Sequence, residues 1–201
     1  MEFLRHGVTL GLLLIFCSPV HRNHMRLRPA LISDLPVLRL WDEKAHVKAA
    51  RGKDRPFDWE GALNRRVDWG ELLIAESEGR PVAFIEIIDP AREDGHYWGS
   101  IEEGLRAIDI WIGEEADLGR GLGTRIMRLG LERCFADPRV EAVLLDPLAA
   151  NTRVHRFYER LGFARMGPRR FGQDDCVVYR LDRSAWEQQS RKEVQSWPRN
   201  D

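Results

Sequence analysis

Asp117-Leu118-Gly119-Arg120-Gly121-Leu122-Gly123-Thr124, running into Arg125-Ile126-Met127-Arg128-Leu129, is the stretch that decides how this chain folds. Three glycines, an arginine and a hydroxyl residue stand directly before a helical pattern. Where side chains are missing, backbone N–H groups come close to an anion, and the helix dipole adds partial positive charge at the same point. The segment therefore reads as a phosphate cradle. No P-loop lysine follows, which argues against nucleoside triphosphate hydrolysis. The G-x-G-x-G spacing and the short preceding segment also fail the dinucleotide fingerprint. Taken alone, the glycines would equally suit a simple capped turn.

The flanking segments favour the cradle. Before it, residues 105–113 alternate as a strand that carries Asp109 between Ile108 and Ile110. After it come Val143-Leu144-Leu145-Asp146-Pro147 and then Asn151-Thr152-Arg153-Val154-His155-Arg156-Phe157-Tyr158-Glu159-Arg160-Leu161-Gly162-Phe163. The order is strand, cradle helix, strand, helix. Asn151, His155 and Tyr158 stand at i, i+4 and i+7, one face of the second helix.

Further out the pattern is α+β. Residues 25–29 read as a short strand, and Ser33 or Asp34 caps a helix that carries Leu35, Leu38 and Trp41 on one stripe. A second helix is expected over 59–67. Strands at 71–77 and 81–88 flank a turn at Glu78-Gly79-Arg80, a hairpin signature. Residues 89–104 form a loop rich in glycine and charge. Strands at 165–170 and 174–181 close the sheet. Ser184 with Glu187 marks a short terminal helix, with a polar, frayed tail from Gln188 onward.

A chain of 201 residues, 43% hydrophobic, fits one domain with a real core. The net charge of −1 hides an asymmetry. Residues 86–117 hold ten acids against Arg92 and Arg106, whereas residues 119–171 hold eleven arginines against five acids. That division suits an anionic cofactor beside a cationic substrate, with ordinary solvated charge as the alternative. The arginines recur at helical intervals with little aromatic interleaving, so nucleic-acid binding is not expected. Cys17, Cys134 and Cys176 have neither metal nor disulfide spacing, the histidines are scattered, and no metal site is expected.

Residues 1–24 stand apart. Arg5 and His6 precede the apolar run from Val8 to Cys17, which resembles a secretory signal and is too short to span a bilayer. The globular pattern restarts at Met25. An upstream extension or misassigned start is the preferred reading and an export signal the alternative, with 25–183 as the domain and 184–201 as a helix and tail.

The glycine loop, the strand after its helix, and Asn151 through the Tyr158-x-x-x-Gly162-Phe163 ending together resemble the GNAT superfamily of N-acetyltransferases. The resemblance covers roughly 25–183. It implies a central mixed, mostly antiparallel sheet flanked by helices, with acetyl-CoA as cosubstrate in the cytoplasm. By the same resemblance Leu118, Gly119, Arg120, Gly121, Leu122, Gly123 and Thr124 hold the pyrophosphate. Asn151 and Tyr158 flank the pantetheine arm and the thioester sulfur, and Trp111 and Ile112 are further cofactor contacts.

Within that superfamily, Asp94-Gly95-His96-Tyr97-Trp98, Ala107-Ile108-Asp109, Leu118, Asp146-Pro147 and Asp174 before Val178-Tyr179 resemble the aminoglycoside 6'-N-acetyltransferases, which confer antibiotic resistance. Asp109 tilts the reading away from siderophore-type hydroxylysine acyltransferases, which typically place a histidine there and which stay open as an alternative. A departure lies at Lys48-Ala49-Ala50-Arg51, where the aminoglycoside enzymes carry a tryptophan pair. Two cations there would repel a polycation, with Trp59 or Trp69 as possible substitutes for the stacking surface.

The resemblance implies direct acyl transfer to a small cationic amine by a monomer or homodimer. Asp109 would bind the ammonium and accept its proton, and Tyr158 would protonate the departing thiolate. Asp94, Trp98, Asp146 and Asp174 are candidate substrate contacts. An outward strand Asp and a core Tyr are the plain structural alternatives. A peptide N-acetyltransferase and a non-catalytic acetyl-CoA-binding module also remain open.

Overall fold

The computed structural model describes residues 24–52 and 57–196. Seven strands form one sheet in the order β1-β2-β3-β4-β5-β7-β6. β1 (Met25–Pro29), β2 (Gly70–Ser77), β3 (Arg80–Ile88) and β4 (Leu105–Ile112) are an antiparallel run. β5 (Ala142–Leu145) joins β4 in parallel, and β7 (Asp174–Asp182) with β6 (Ala164–Phe171) completes the sheet antiparallel. The β2–β3 turn is tight because Glu78 and Gly79 both take positive φ, as two-residue hairpin turns demand.

Alternation along the strands assigns two faces. Leu73, Ala75, Ile85, Ile87 and Ile108 point one way, into a single large cluster. α4 (Leu122–Phe135) covers them with Ile126, Met127 and Leu131, joined by Tyr158 and Leu161 at α5 (Thr152–Arg160). Ile74, Phe84 and Trp111 point the other way. They pack under α1 (Leu35–Asp42) and α3 (Trp59–Asn64) through Leu38, Trp41 and Trp59. A separate cluster on this second side holds Trp98, Leu105, Ala107, Leu144, Phe171 and Cys176. Gly113, just past β4, lets α1 approach: a Cβ there would lie 2.0 Å from the Trp41 ring.

Three differences from the sequence pattern matter. A helix not anticipated, α2 (Ala45–Arg51), follows α1 directly. Only Val47 of it is buried, so the stripe that announces an amphipathic helix is absent. The 59–67 helix stops at Asn64, where Arg65 turns to an extended conformation. α6 (Arg183–Ser196) runs on where a frayed tail was expected. It is anchored by Trp186 stacked on Phe135, with ring centroids 6.0 Å apart, and by Arg183 donating to the carbonyls of Phe135, Asp137 and Val140. Residues 1–23, with the signal-like run and Cys17, lie outside the described residues.

Candidate active site

β4 and β5 pair over only three residues, Leu105 to Ala107 against Ala142 to Leu144. Asp109 and Asp146 each lie two residues beyond the last pair, at the point where the strands part. A cleft of about 380 Å³ opens there. Glu86, Glu93, Asp109, Asp146 and Asp174 line it, with Arg51, Tyr97, Asn151 and Tyr158 among their neighbours.

Asp109 is exposed although it sits mid-sheet, because the two apolar clusters of its face leave a gap over it. Its partner across the β3–β4 ladder is Glu86. Burial first, and the charge of Glu93 second, push the Glu86 carboxyl up to about 7. Glu93 itself is consumed by the loop 89–104, where it accepts from the backbone N–H groups of Gly95 and Tyr97. The Tyr97 hydroxyl donates to Asp146 at 2.7 Å, and its ring stacks on Phe171 at 4.6 Å. Asp174 is buried against the end of α2, close enough that a Cβ on Gly52 would fall 2.6 Å from its Oδ2.

Tyr158 is 8% exposed and belongs to the main core while its side chain borders the cleft. It is thus a core aromatic that also lines the cleft. Burial, then the charges of Asp109 and Asp146, raise its pKa, so the phenol stays protonated. On the same helix Asn151 and Val154 reach the cleft, but His155 does not. Its ring stacks on Tyr179 at 5.7 Å, and its Nε2 meets the Ala149 carbonyl at 3.2 Å.

The glycine loop lies at the start of α4. Gly121 is its N-cap, left-handed at φ 78°, and no side chain caps the helix. The first N–H groups of a helix lack internal partners, and a Cβ on Gly121 would meet nothing within 4 Å. An open, donor-rich pocket results, fit for an anion. Asp117 fixes the loop through paired hydrogen bonds from Arg80, at 2.9 and 3.1 Å, leaving Arg120 exposed beside it. Gly123 is less constrained, since a Cβ there would make ordinary contacts of 3.5 Å with Phe157 and 3.6 Å with Ile112. At the end of β4, Trp111 stacks on Phe84, centroids 5.0 Å apart, and the Ile112 carbonyl meets His46 Nε2 at 2.9 Å.

Other candidates fall elsewhere. Asp94 is outside the cleft and paired with Arg65. Trp98 is 2% exposed and acts as cleft floor beneath Arg169, whereas its neighbour Tyr97, 44% exposed, presents a surface. Trp59 is buried against Phe84 and Trp111, so it offers no stacking surface; Trp69 and Phe57 do border the cleft. Both cations of α2 have acidic partners. Lys48 bonds Glu43 at 2.6 Å, and Arg51 bonds Asp42. Sequence reasoning missed Glu86, Glu93 and Tyr97. Only the β3–β4 register sets Glu86 beside Asp109. Among the described residues no group of three His, Cys, Asp or Glu is arranged to hold a metal ion, and no helix is long and apolar enough to cross a membrane.

Residues 30–171, which hold the parted β4 and β5 and the uncapped glycine-rich start of α4, match the acetyltransferase (GNAT) domain family. The chain belongs to that family. It is 35% identical over 95 residues to an aminoglycoside N(6')-acetyltransferase type 1 of Klebsiella pneumoniae, 47% of each chain. It therefore matches about half the length of that relative. A kanamycin resistance protein of Rhizobium radiobacter is 40% identical over 76 residues, 37% of this chain and 70% of that one. The crystal structure of aminoglycoside acetyltransferase AAC(6')-Ib with coenzyme A and kanamycin superimposes with a TM-score of 0.74 at 27% identity, covering 83% of this chain and 99% of that one.

Proposed function

We propose that the chain is an acetyl-CoA-dependent N-acetyltransferase that acetylates a primary amine of a small polycation, an aminoglycoside 6'-amine. The observation that carries this reading is the parting of β4 and β5, with Asp109 and Asp146 at its mouth and the uncapped start of α4 nearby. The similarity to enzymes named for aminoglycosides supports the acceptor class.

Each part of the site has a task. The N–H groups at the start of α4, with Gly119, Gly121 and Gly123 keeping side chains away and Arg120 alongside, bind the pyrophosphate. Leu118, Leu122 and Thr124 shape that turn. Trp111, Ile112 and Asn151 border the path of the pantetheine arm. Glu93, Asp109, Asp146 and Asp174 make the cleft attractive to a polycation, and Tyr97, Phe57 and Trp69 provide apolar and aromatic surface for a sugar ring. Asp109 holds the reacting ammonium and accepts its proton, which frees the nitrogen lone pair to attack the thioester carbonyl. Tyr158, kept protonated by its surroundings, gives a proton to the departing thiolate. Asp146, oriented by Tyr97, and Asp174 bind further ammonium groups.

The test is release of free thiol from acetyl-CoA against aminoglycosides, polyamines, hydroxylysine-type precursors and peptides. Transfer to an aminoglycoside at a rate well above the others is expected. Preference for a peptide, or no transfer to any amine, would overturn the reading.

A further inference from the structure

Within the cleft, most carboxylates already have a structural task. Glu93 holds the loop 89–104 through the N–H groups of Gly95 and Tyr97, Asp146 accepts from Tyr97, and Asp174 packs on the end of α2. Glu86 differs. It sits on β3 directly across the ladder from Asp109, and directly opposed side chains in an antiparallel pair stand on the same face, with Cβ atoms about 4.5–5.5 Å apart. It borders the cleft from a strand rather than from a loop.

The groups around it come from every side. β4 brings Asp109, the loop brings Glu93 and Tyr97, and the segment after β5 brings Asp146. β7 brings Asp174, α5 brings Tyr158, and Arg51 at the end of α2 is tied to Asp42. Negative charge dominates, so a second ionised carboxylate beside Asp109 is unfavourable in the empty cleft and favourable once ammonium groups enter.

We propose that Glu86 is a second cation site of the cleft, giving up its proton when a polycationic acceptor binds next to Asp109. Glu86 thereby discriminates acceptors carrying several amines from acceptors carrying one. The inference rests on the amine-acceptor reading above and deepens it. The carboxyl is pushed up to about 7 by burial and by Glu93, so the uncharged form predominates in mildly acid solution. An ammonium nearby favours the charged form and draws the proton off.

Binding calorimetry with kanamycin, at pH 6 in two buffers of different ionisation heat, counts protons without any turnover. The wild-type protein should release between about half and one proton more than Glu86→Gln, and the two should agree near pH 8.5. The Michaelis constant for kanamycin should fall from pH 5.5 to 8 in the wild type and stay flatter in Glu86→Gln. With 6-amino-6-deoxyglucose, which has one amine, the two proteins should differ little. Kanamycin binding with equal proton release in both proteins overturns the inference alone. No binding of kanamycin overturns it together with the aminoglycoside reading, which the thiol-release assay scores independently.

Discussion

The two faces of the sheet are built from alternate residues of the same strands, yet they have opposite characters. Beneath α4 the surface is continuous and dry: Ile85, Ile87 and Ile108 meet Ile126, Met127 and Leu131. On the other side two apolar clusters stand apart, and Glu86 and Asp109 fill the interval. A residue's role here follows from the parity of its position more than from its element. Ile108 is core, and Asp109, one residue on, is exposed and lines the cleft. The dry face holds the strands in place, so that the split face can keep carboxylates partly desolvated at fixed positions.

Substitutions test this division from both sides. Asp109→Asn should lower amine acetylation by about a hundred- to ten-thousand-fold, as loss of a general base does, and leave the melting temperature nearly unchanged. Retention of a third or more of the activity would move the proton acceptor elsewhere. Ile85→Ala, on the dry face, should do the reverse. Unfolding in denaturant should show a loss of about 2–5 kcal/mol, with turnover per folded molecule preserved. If that variant instead loses turnover while staying folded, the faces are not separable.

Smaller effects sharpen the picture. Gly121→Val places a branched side chain at positive φ and over the anion pocket. The Michaelis constant for acetyl-CoA should rise about ten- to a hundred-fold, with that for the amine little changed. Equal changes in both constants would count against the cradle. Tyr158→Phe should reduce turnover about tenfold or more while coenzyme A binding persists, since only the proton donor is removed. Unchanged turnover across pH would leave Tyr158 as a packing residue alone.

The last effect concerns stability. The folded-state pKa of Glu86 is raised to about 7 from 4.5, so the folded form binds the proton more tightly than the unfolded one. The associated stability is fully present below about pH 4.5 and is lost as pH rises through about 7. Glu86→Gln should escape that loss and exceed the wild type by roughly 1–3 kcal/mol at pH 8, with little difference at pH 4.5. Parallel stability-against-pH curves for the two proteins would contradict the burial argument.

The sheet was legible in the sequence wherever one strand face is wet and the other dry, as at residues 71–77, 81–88 and 105–113. The glycine-rich start of α4 was legible because glycine, arginine and helix periodicity coincide in so few residues. What stayed hidden depends on contacts distant in sequence. α2 buries only Val47, so nothing periodic marks it. The cations Lys48 and Arg51 looked hostile to a polycation until Glu43 and Asp42 were found beside them. Asp94 and Asp146 read alike as loop acids, but one meets Arg65 outside the cleft and the other meets Tyr97 at its mouth. Trp59 and Trp69 were interchangeable as letters, and only packing divides the core ring from the cleft ring. Glu86 needed the register with Asp109, which no local pattern encodes.

Because β5 leaves β4 after Ala107, the remaining length of β4 has a bare side inside the molecule. A bare strand side is a template on which another extended chain can assemble, and exposed edges of this kind drive aggregation unless charge or cover guards them. Here the opening is narrow, and carboxylates surround it. Acidity of this kind guards a bare strand side against pairing with another chain, so neutralising several of these carboxylates at once should cost solubility before it costs the fold.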